Sequence, residues 1–305
     1  MRLRSGKVTI ENTNICPGSC TICPRDKYTA KLGSMSFNLF AKIINNFAQQ
    51  TNIDTIDMGG FGDPFADKLL FERCELIRQK LPHVKIFTSS TCFLMTPDKY
   101  DDVCRYIDSL KISISGLTKT IYEQCHRGTL TMERTYANIL GLLESTKKPY
   151  TIGGLTLTNE NKHEMQEWID FWQPKLDEVY VWLPHNFGGL MNFRVIDKAK
   201  QISCGRPFNG PLYIHLDGIV SMCCLDINKQ LVIGNINTQT IPEIFHSKEY
   251  RQIRKAHKLK NFSGLLCENC CQTNYNPDVL VYASNKERGV GKLNSNLKNL
   301  YEGVV

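Results

Sequence analysis

The sequence lacks the features that mark membrane-spanning, secreted or disordered proteins. Its 305 residues include no run of about 18 apolar side chains, and the mean hydropathy is −0.28, so no segment is predicted to cross a bilayer. The first ten residues are basic but have no apolar stretch behind them, which argues against a secretory signal peptide. Hydrophobic residues make up 42% of the chain and charged residues 22%, as in ordinary globular proteins. We therefore expect a cytoplasmic globular protein without a membrane partner.

Charge of one sign is not concentrated anywhere along the chain. The formal net charge is +7, but the lysines and arginines are spread out and do not form blocks. Nucleic-acid-binding surfaces depend on clustered basic residues. We therefore expect a solvated surface and no nucleic-acid partner.

Cysteine is abundant, with 13 residues. In a reducing compartment such a set favours metal ligation or redox chemistry over disulfides. The cysteines form one group near the start and a second group late in the chain: Cys16, Cys20 and Cys23, then Cys204, Cys223, Cys224, Cys267, Cys270 and Cys271. The scattered remainder is interpreted as buried thiols that act as small apolar side chains: Cys74, Cys92, Cys104 and Cys125.

Short β-rich runs alternate with helical patterns between residues 8 and 185. Strands are predicted at Val8–Asn12, Asp54–Met58, Lys85–Thr88, Ser109–Ile114, Tyr150–Leu157 and Val179–Leu183. Helices are predicted between them at Phe37–Gln49, Leu69–Lys80, Pro97–Ile107, Met132–Leu143 and Lys162–Trp172. Repeated β/α units imply a parallel sheet, because parallel strands need crossover connections. Six units are too few for a closed eight-stranded barrel, so a partial barrel and an open sheet both fit.

The pattern changes after residue 189. Two short strands are predicted at Leu212–Leu216 and Val220–Cys223, followed by a helix over Ile241–His257 with Thr240 as its N-cap. So short a segment buries little apolar surface of its own, which predicts a small domain held together by metal. We divide the chain into a core (residues 1–190), this metal-bearing domain (191–275) and a weakly periodic, loosely packed tail (276–305).

Three cysteines of the first group lie in one motif, Cys16-Pro-Gly-Ser-Cys20-Thr-Ile-Cys23, directly after the first predicted strand. A structural zinc site needs four protein ligands, and no histidine precedes His83 to supply the fourth locally. On a four-iron cluster, three thiolates would leave one iron open to an external ligand. One alternative is a zinc site that a distant residue completes. The other is three thiols that bind no metal.

This CxxxCxxC spacing, after the first strand of a β/α-repeat chain, resembles that of the radical S-adenosylmethionine (radical SAM) enzymes. The resemblance implies an α/β fold with a partial (β/α)6 TIM-like barrel, and a [4Fe–4S] cluster on Cys16, Cys20 and Cys23 whose open iron binds SAM. One-electron reduction of SAM then yields a 5′-deoxyadenosyl radical, which abstracts hydrogen from an unactivated carbon. It also implies an electron donor of the flavodoxin or ferredoxin type.

A glycine-rich segment after the second strand, Met58–Pro64, resembles the Gly-x-Gly-Glu-Pro segment of the same family. The resemblance implies that Gly60, Gly62 and Asp63 approach the SAM amino group, with Asp63 in the place of the usual glutamate. Glycine is needed where a backbone approaches a ligand closely.

Three polar residues resemble other SAM-contacting positions. Ser113 and Ser115, which end the fourth strand, resemble positions that meet the SAM ribose or carboxylate, and Arg127 resembles a basic residue for that carboxylate. The alternatives are that either serine only caps the strand and that Arg127 is only a surface charge. The chain departs from the family at Ile22, where an aromatic residue is common, and at residues 88–91, where Thr-Asn-Gly is usual.

The second cysteine group resembles the SPASM/twitch extension, a C-terminal iron–sulfur domain of some radical SAM enzymes. The resemblance is carried by Cys204, Gly218, Cys223, Gly234–Ile236, the helix from Ile241 and the CxxC motif at Cys267. It implies one auxiliary [4Fe–4S] cluster on Cys204, Cys223, Cys267 and Cys270. A zinc ribbon is the alternative, although it usually presents two CxxC knuckles. Neighbouring side chains on a strand point to opposite faces, so only one of Cys223 and Cys224 is expected to ligate.

Candidate catalytic residues lie near this domain. Cys224 is either packing beside the cluster, as Cys271 is, or a donor of a hydrogen atom to the substrate. His185 and Asn186 follow the sixth strand at its carboxyl end, where parallel β/α folds bind ligands. They are therefore candidates for substrate contact, and a loop that only links the domains is the alternative.

Two enzyme classes and one non-enzymatic class remain at this stage. We favour oxidation or epimerisation of a carbinol carbon in a sugar- or aminocyclitol-type substrate. An epimerase or cross-linker of a ribosomally made peptide is the alternative, and we expect it to be disfavoured because only 15 residues precede Cys16. An iron–sulfur electron carrier is disfavoured by the Gly60–Pro64 segment, because a carrier needs no nucleoside pocket.

Overall fold

The computed structural model describes residues 6–50, 53–274 and 278–284. Its strands are β1 (Lys7–Ile10), β2 (Thr55–Met58), β3 (Lys85–Ser90), β4 (Ser109–Ser113), β5 (Tyr150–Thr156), β6 (Glu178–Trp182), β7 (Leu212–Ile214), β8 (Ile219–Ser221), β9 (Val232–Asn235) and β10 (Val279–Ser284). Its α-helices are α1 (Phe37–Gln50), α2 (Leu70–Lys80), α3 (Tyr100–Tyr106), α4 (Lys119–His126), α5 (Met132–Leu143), α6 (Met165–Trp172), α7 (Arg206–Asn209), α8 (Ile241–Phe245) and α9 (Lys248–Leu259).

Residue contacts divide the chain into two compact units. The first unit contains the described residues of Met1–Cys16, Lys27–Thr88 and Asn186–Tyr275. Within it, β1 pairs in parallel with β2 on one side and with β7 on the other, and β3 extends the parallel pairing beyond β2. β8 and β9 continue from β7 as antiparallel strands. Val8 of β1 is fully buried between its neighbours Ile56 and Leu212, as expected for the central strand of a sheet covered on both faces.

The second unit contains the described residues of Pro17–Asp26, Ser89–His185 and Asn276–Val305. β4, β5 and β6 are parallel, and β10 lies antiparallel along β6. Its core is strongly aromatic: the ring centroids of Tyr136 and Trp172 lie 5.0 Å apart in an edge-to-face arrangement, and Trp168 is fully buried nearby in the same helix as Trp172. Such edge-to-face pairs stabilise a core beyond the burial of their area.

The six strands predicted before residue 185 are confirmed, with ends that differ by one or two residues. The five predicted helices are also present, although Pro97–Ile107 and Lys162–Trp172 each begin with a 3-10 turn. The sequence analysis missed α4. This helix has eight residues and only a short apolar stripe, with Tyr122, Cys125 and His126 buried, so its periodicity is too brief to recognise.

The predicted helix Ile241–His257 is wrong as a single element. The chain forms α8 and α9, because the Ser247 side chain accepts a hydrogen bond from the Tyr250 N–H and starts a new helix. The N-cap at Thr240 is confirmed, and it forms a reciprocal capping box with Glu243, an arrangement that satisfies backbone groups at a helix start.

The prediction of a loosely packed tail is wrong where the structure describes it. Residues 279–284 form β10, and Leu280, Val281 and Ala283 are buried there. The remainder of the predicted tail lies outside the described residues. Among the described helices, none combines the length and the apolar character that crossing a membrane requires.

Substitutions of two neighbouring residues of α5 test how the core of the second unit is packed. Ile139 is 0% exposed and Leu140 is 36% exposed. We expect Ile139→Ala to lower the free energy of unfolding by about 2–5 kcal/mol, because it removes buried methyl groups and leaves a cavity. Leu140→Ala is the matched control and should cost less than about 1 kcal/mol. Urea denaturation followed by fluorescence measures both, and equal losses would contradict this packing.

Candidate functional site

The carboxyl end of β1 is organised by a buried carboxylate, Glu11. Its side chain accepts hydrogen bonds from the Phe61 N–H at 3.3 Å, the Tyr213 hydroxyl at 3.1 Å and the Leu216 N–H at 3.3 Å. Burial and the nearby Glu11 carboxylate raise the pKa of Tyr213 well above its usual value, so this phenol stays a donor. Glu11 therefore joins three segments: β1, the glycine-rich segment after β2, and β7.

The glycine-rich segment predicted to bind SAM lies against the chain that leads into the first cysteine. A Cβ atom on Gly62 would lie 2.4 Å from the Thr13 carbonyl oxygen, so only glycine fits here. The Asp63 N–H donates to the Ile15 carbonyl at 2.9 Å, and its buried carboxylate accepts from the Phe65 N–H at 3.1 Å. This arrangement places Gly62 and Asp63 next to the start of the cysteine loop, and Gly60 lies against Glu11 and Tyr213.

The rest of the cysteine loop is attached to the end of α4, the helix that the sequence analysis missed. The Ser19 N–H donates to the His126 carbonyl at 3.2 Å, and the Thr21 N–H donates to the Cys125 carbonyl at 2.9 Å. Gly128 follows with a φ of +72°, and a Cβ atom there would lie 2.5 Å from the Pro17 carbonyl oxygen. A left-handed backbone at a close approach requires glycine.

The His126 side chain contacts a cysteine of this loop. Its Nδ1 lies 3.3 Å from the Cys20 Sγ, and its Nε2 accepts a hydrogen bond from the Ser115 N–H at 2.9 Å. Burial lowers the pKa of His126 to about 4, so the ring is neutral at pH 7. Ser115, which was predicted to contact SAM, is therefore connected to Cys20 through the His126 ring. Of the other two predicted residues, Ser113 is half-buried and Arg127 is exposed.

The second cysteine group surrounds a basic residue, Arg206, which the sequence analysis missed. Burial alone would lower the pKa of Arg206, but four nearby thiols outweigh burial and raise it: those of Cys224, Cys223, Cys204 and Cys270. Its place two residues after Cys204 was the only signal in the sequence. A partly buried cation beside these thiols favours their thiolate form.

The strand predicted over Val220–Cys223 is shorter than expected, so Cys223 and Cys224 lie beyond it, and ligation by only one of them stays a prediction. β8 ends at Ser221, and the two thiols hydrogen bond to each other, which together with burial raises the pKa of Cys223. Cys223 is the more buried of the two, and its Sγ accepts from the Leu225 N–H at 3.4 Å. An N–H donor directed at a sulfur is typical of a cluster ligand.

The loop that carries the CxxC motif is held in place by Asn186. The side-chain amide of Asn186 donates to the Asn269 carbonyl at 2.8 Å and its oxygen accepts from the Cys271 N–H at 2.9 Å. The backbone N–H of Asn186 also donates to the Cys271 Sγ at 3.4 Å. Asn186 is buried, whereas His185 is half-buried. Contact of either residue with substrate stays a prediction.

Both cysteine groups offer the donors that iron–sulfur clusters use, since such clusters are held by cysteine thiolates. All 13 cysteines lie within the described residues, and none of them forms a disulfide. Across residues 6–50, 53–274 and 278–284, no three His, Cys, Asp or Glu side chains come close enough to share one ion. A four-iron cluster spreads its thiolates over separate iron atoms, so its ligands stand further apart than those of zinc. Of the scattered cysteines, Cys74, Cys92 and Cys125 are buried as predicted, and Cys104 is half-buried.

Comparison with protein families agrees with this geometry. The model of the radical SAM superfamily matches residues 10–171, and the model of the SPASM iron–sulfur cluster-binding domain matches residues 204–271. These matches define an iron–sulfur enzyme that uses SAM. The chain belongs to the radical SAM superfamily and carries a SPASM domain after its catalytic core. Its cofactors are SAM, a SAM-binding [4Fe–4S] cluster and auxiliary iron–sulfur ligation in the SPASM domain.

Solved structures show the same fold over nearly the whole chain. BtrN in complex with AdoMet (SAM) and 2-DOIA is 19% identical, with a TM-score of 0.64, over 92% of this chain and 100% of that chain. Native anSMEcpe with bound AdoMet is 14% identical, with a TM-score of 0.67, over 97% and 94%. Streptococcus suis SuiB bound to precursor peptide SuiA is 13% identical, with a TM-score of 0.65, over 88% and 71%.

The predicted fold class is therefore confirmed: an α/β protein whose radical SAM domain is a partial TIM barrel. At these identities the likeness to solved structures concerns the fold alone. Comparison with curated protein sequences finds no significant match.

Gly128 offers a test of how the cysteine loop is held. We expect Gly128→Ala to weaken the first cluster, because the new methyl group meets the Pro17 carbonyl and the left-handed backbone is strained. Iron content of anaerobically reconstituted protein should fall from about eight towards about four atoms. Gly33→Ala, between the cysteine motif and α1, is the control, since a Cβ there meets nothing within 4 Å. Full iron content in both variants would contradict the proposed attachment.

Proposed function

We propose that this radical SAM enzyme acts on a carbinol carbon of a sugar- or aminocyclitol-type substrate and either oxidises or epimerises it. When bound, the clusters and SAM supply a 5′-deoxyadenosyl radical and a one-electron acceptor. A flavodoxin- or ferredoxin-type protein is the proposed source of the electron that starts each turnover. The protein itself contributes binding, orientation and exclusion of water.

The observation that carries this proposal is the cysteine set of the SPASM domain. Cys204, Cys223, Cys267 and Cys270 are enough for one auxiliary [4Fe–4S] cluster, which leaves Cys224 free of a ligating role. The fold match to BtrN, which spans all of that chain and was determined with AdoMet and 2-DOIA, supports a small-molecule substrate.

The residues of the core have proposed roles that follow from their positions. Gly60, Gly62 and Asp63 would meet the SAM amino group, since Gly62 and Asp63 lie beside the start of the cysteine loop and Gly60 precedes them in the same segment. Ser113 and Ser115, at the carboxyl end of β4, would contact the ribose or carboxylate.

Arg127 and His185 complete the proposed binding groups. Arg127 is exposed, with its Nε donating to the Gln124 carbonyl at 3.3 Å, and its remaining guanidinium donors could pair with the SAM carboxylate. His185 follows β6 at its carboxyl end and would contact substrate. Asn186 would act behind it, because its amide already holds the Cys271 backbone.

Oxidation requires the protein to accept an electron, whereas epimerisation requires it to donate a hydrogen atom. Oxidation of a secondary alcohol removes one hydrogen atom from carbon, one proton from the hydroxyl group and one electron. The charge of Arg206 beside the SPASM cysteines would stabilise an added electron there. Epimerisation instead needs a hydrogen atom returned to the opposite face of the carbon, and Cys224 is the proposed donor. The resulting thiyl group would then need one electron from the external donor and one proton.

The first prediction of this proposal concerns SAM itself. We expect anaerobically reconstituted protein with dithionite to cleave SAM to 5′-deoxyadenosine and methionine. Cys20→Ala should abolish this cleavage, because the SAM-binding cluster loses a ligand. Cys104→Ala is the control, since Cys104 lies outside both cysteine groups. Liquid chromatography of 5′-deoxyadenosine measures both, and cleavage by the Cys20 variant would contradict the ligand assignment.

The second prediction separates the two reactions. If the enzyme is an epimerase, Cys224→Ala should reduce turnover at least about 100-fold, and the wild-type product formed in D2O should carry one deuterium from the exchanged thiol. If it is a dehydrogenase, the variant should keep its rate within about threefold. A panel of aminocyclitols and nucleotide-linked sugars, read by mass spectrometry, provides the assay. Wild-type turnover of none of these compounds would overturn the proposed substrate class.

Peptide maturation is the second candidate function. It is favoured by the shared fold of anSMEcpe, which has been determined with bound AdoMet and Kp18Cys peptide, and of SuiB with precursor peptide SuiA. Precursor peptides deuterated at their α-carbons and at their side-chain carbons decide between the classes, because only a peptide substrate would transfer deuterium to 5′-deoxyadenosine.

A further inference from the structure

Each cysteine group contains one sulfur that faces the ring nitrogen of a buried histidine. In the first group, His126 Nδ1 lies 3.3 Å from the Cys20 Sγ. In the second group, His257 Nε2 lies 3.4 Å from the Cys267 Sγ. His126 is 2% exposed and His257 is 1% exposed, so both contacts are shielded from water. Neither histidine belongs to the cysteine motifs that identify the family.

The tautomer of His126 follows from its other contact. The Ser115 backbone N–H donates to Nε2 at 2.9 Å, so Nε2 carries no proton. A ring whose Nε2 accepts a hydrogen bond is neutral and has its one N–H on the other nitrogen. The proton therefore lies on Nδ1 and points at the Cys20 sulfur, which must be the acceptor.

The ring also has little freedom to turn away from the sulfur. The Tyr122 ring lies against His126 with centroids 4.4 Å apart, and the His126 carbonyl accepts from the Ser19 N–H of the cysteine loop itself. The His126 ring faces the Cys20 sulfur, and the His126 carbonyl holds the loop that carries this sulfur. Such outer contacts orient metal ligands and tune the metal centre.

We propose that His126 is a positioning residue whose Nδ1–H donates to the Cys20 thiolate and raises the reduction potential of the SAM-binding cluster. The proposal rests on Cys20 being a ligand of that cluster. A hydrogen bond to a ligating sulfur stabilises the reduced cluster more than the oxidised one, because the reduced cluster carries the greater negative charge. A neutral donor achieves this without placing a full charge beside SAM.

An independent set of contacts gives His257 the same role in the SPASM domain. The Ser203 Oγ lies 3.0 Å from His257 Nδ1 and accepts from the Gly205 N–H at 3.2 Å. The Ser203 hydroxyl has its own proton to donate to Nδ1 when the ring proton is on Nε2. A coordinated Cys267 sulfur has no proton of its own, so His257 must be the donor. The two histidines thus use opposite ring nitrogens towards their cysteines.

This difference supplies a matched test with amide side chains. The amide nitrogen of asparagine can occupy the place of Nδ1, and that of glutamine the place of Nε2. His126→Asn keeps a donor towards Cys20, whereas His126→Gln keeps only the group that meets Ser115. For His257 the pattern reverses: His257→Gln keeps the donor towards Cys267, and His257→Asn removes it.

The measurement is an anaerobic redox titration of the reconstituted holoenzyme, monitored by electron paramagnetic resonance. Addition of SAM identifies the SAM-binding cluster, because only its signal should change. His126→Gln should make reduction of that cluster about tenfold less favourable, a shift of about 59 mV to more negative potential for one electron. His126→Asn should stay close to wild type. His257→Asn and His257→Gln should show the reversed pattern in the signal that ignores SAM.

The controls separate this proposal from loss of the cluster and from the proposed function. His163 is exposed in the same unit, and His163→Gln should leave both potentials unchanged. Each variant must retain about eight iron atoms, and the titration contains no substrate, so the substrate class does not affect its result. Equal potentials for His126→Gln and His126→Asn at full iron content would overturn the role of His126. A SAM-responsive signal that survives Cys20→Ser with unchanged potential would instead overturn the ligand assignment.

Discussion

The buried Glu11 carboxylate is the interaction on which the first unit depends. A charge without partners in the protein interior is strongly unfavourable, and Glu11 is fully buried. Its oxygens are satisfied only when donors from the glycine-rich segment and from the β7 region are both in place. The glycine-rich segment proposed to bind SAM and the start of the SPASM domain are therefore stabilised together: a chain that misplaces either segment leaves the carboxylate short of donors. The parallel pairing of β1 with both β2 and β7 imposes the same dependence through the backbone.

The two cysteine groups both have N–H groups near their sulfur atoms, but the residues that supply these groups differ. Each has N–H groups directed at its sulfur atoms, from His126 in one case and from His257 and the Leu225 backbone in the other. The SPASM group also has a full positive charge beside it, from Arg206. Neutral donors and a cation both favour the reduced form of a cluster, but the cation acts more strongly. This difference suits a domain whose proposed task is to accept an electron from substrate.

Several functional residues were accessible to sequence reasoning and several were not. The cysteines proposed as ligands could be singled out because their motifs are local, and Gly62 because its motif follows a strand at a short interval. His126 could not be assigned a role, since it lies 106 residues from the cysteine that it contacts and ends a helix too short to recognise. Asn186 was found for its place after β6, but its contacts with Cys271 bridge 85 residues and were invisible in the pattern.

Errors in the predicted elements have local causes. Ser247 split a predicted helix because one side-chain cap outweighed a continuous apolar stripe. Residues 279–284 became a strand because the edge of β6 offered backbone partners, which their own weak periodicity did not reveal.

The sequence by itself determined the β/α order, the cysteine ligands expected for each cluster and the family, because strand and helix periods and close spacings are properties of neighbouring residues. Tertiary structure alone decided which donors meet Glu11, how Arg206 stands among the SPASM thiols and which ring nitrogen faces which sulfur. Those features depend on distances between groups that lie far apart along the chain, and such distances are set by packing and by the need to satisfy every buried polar group.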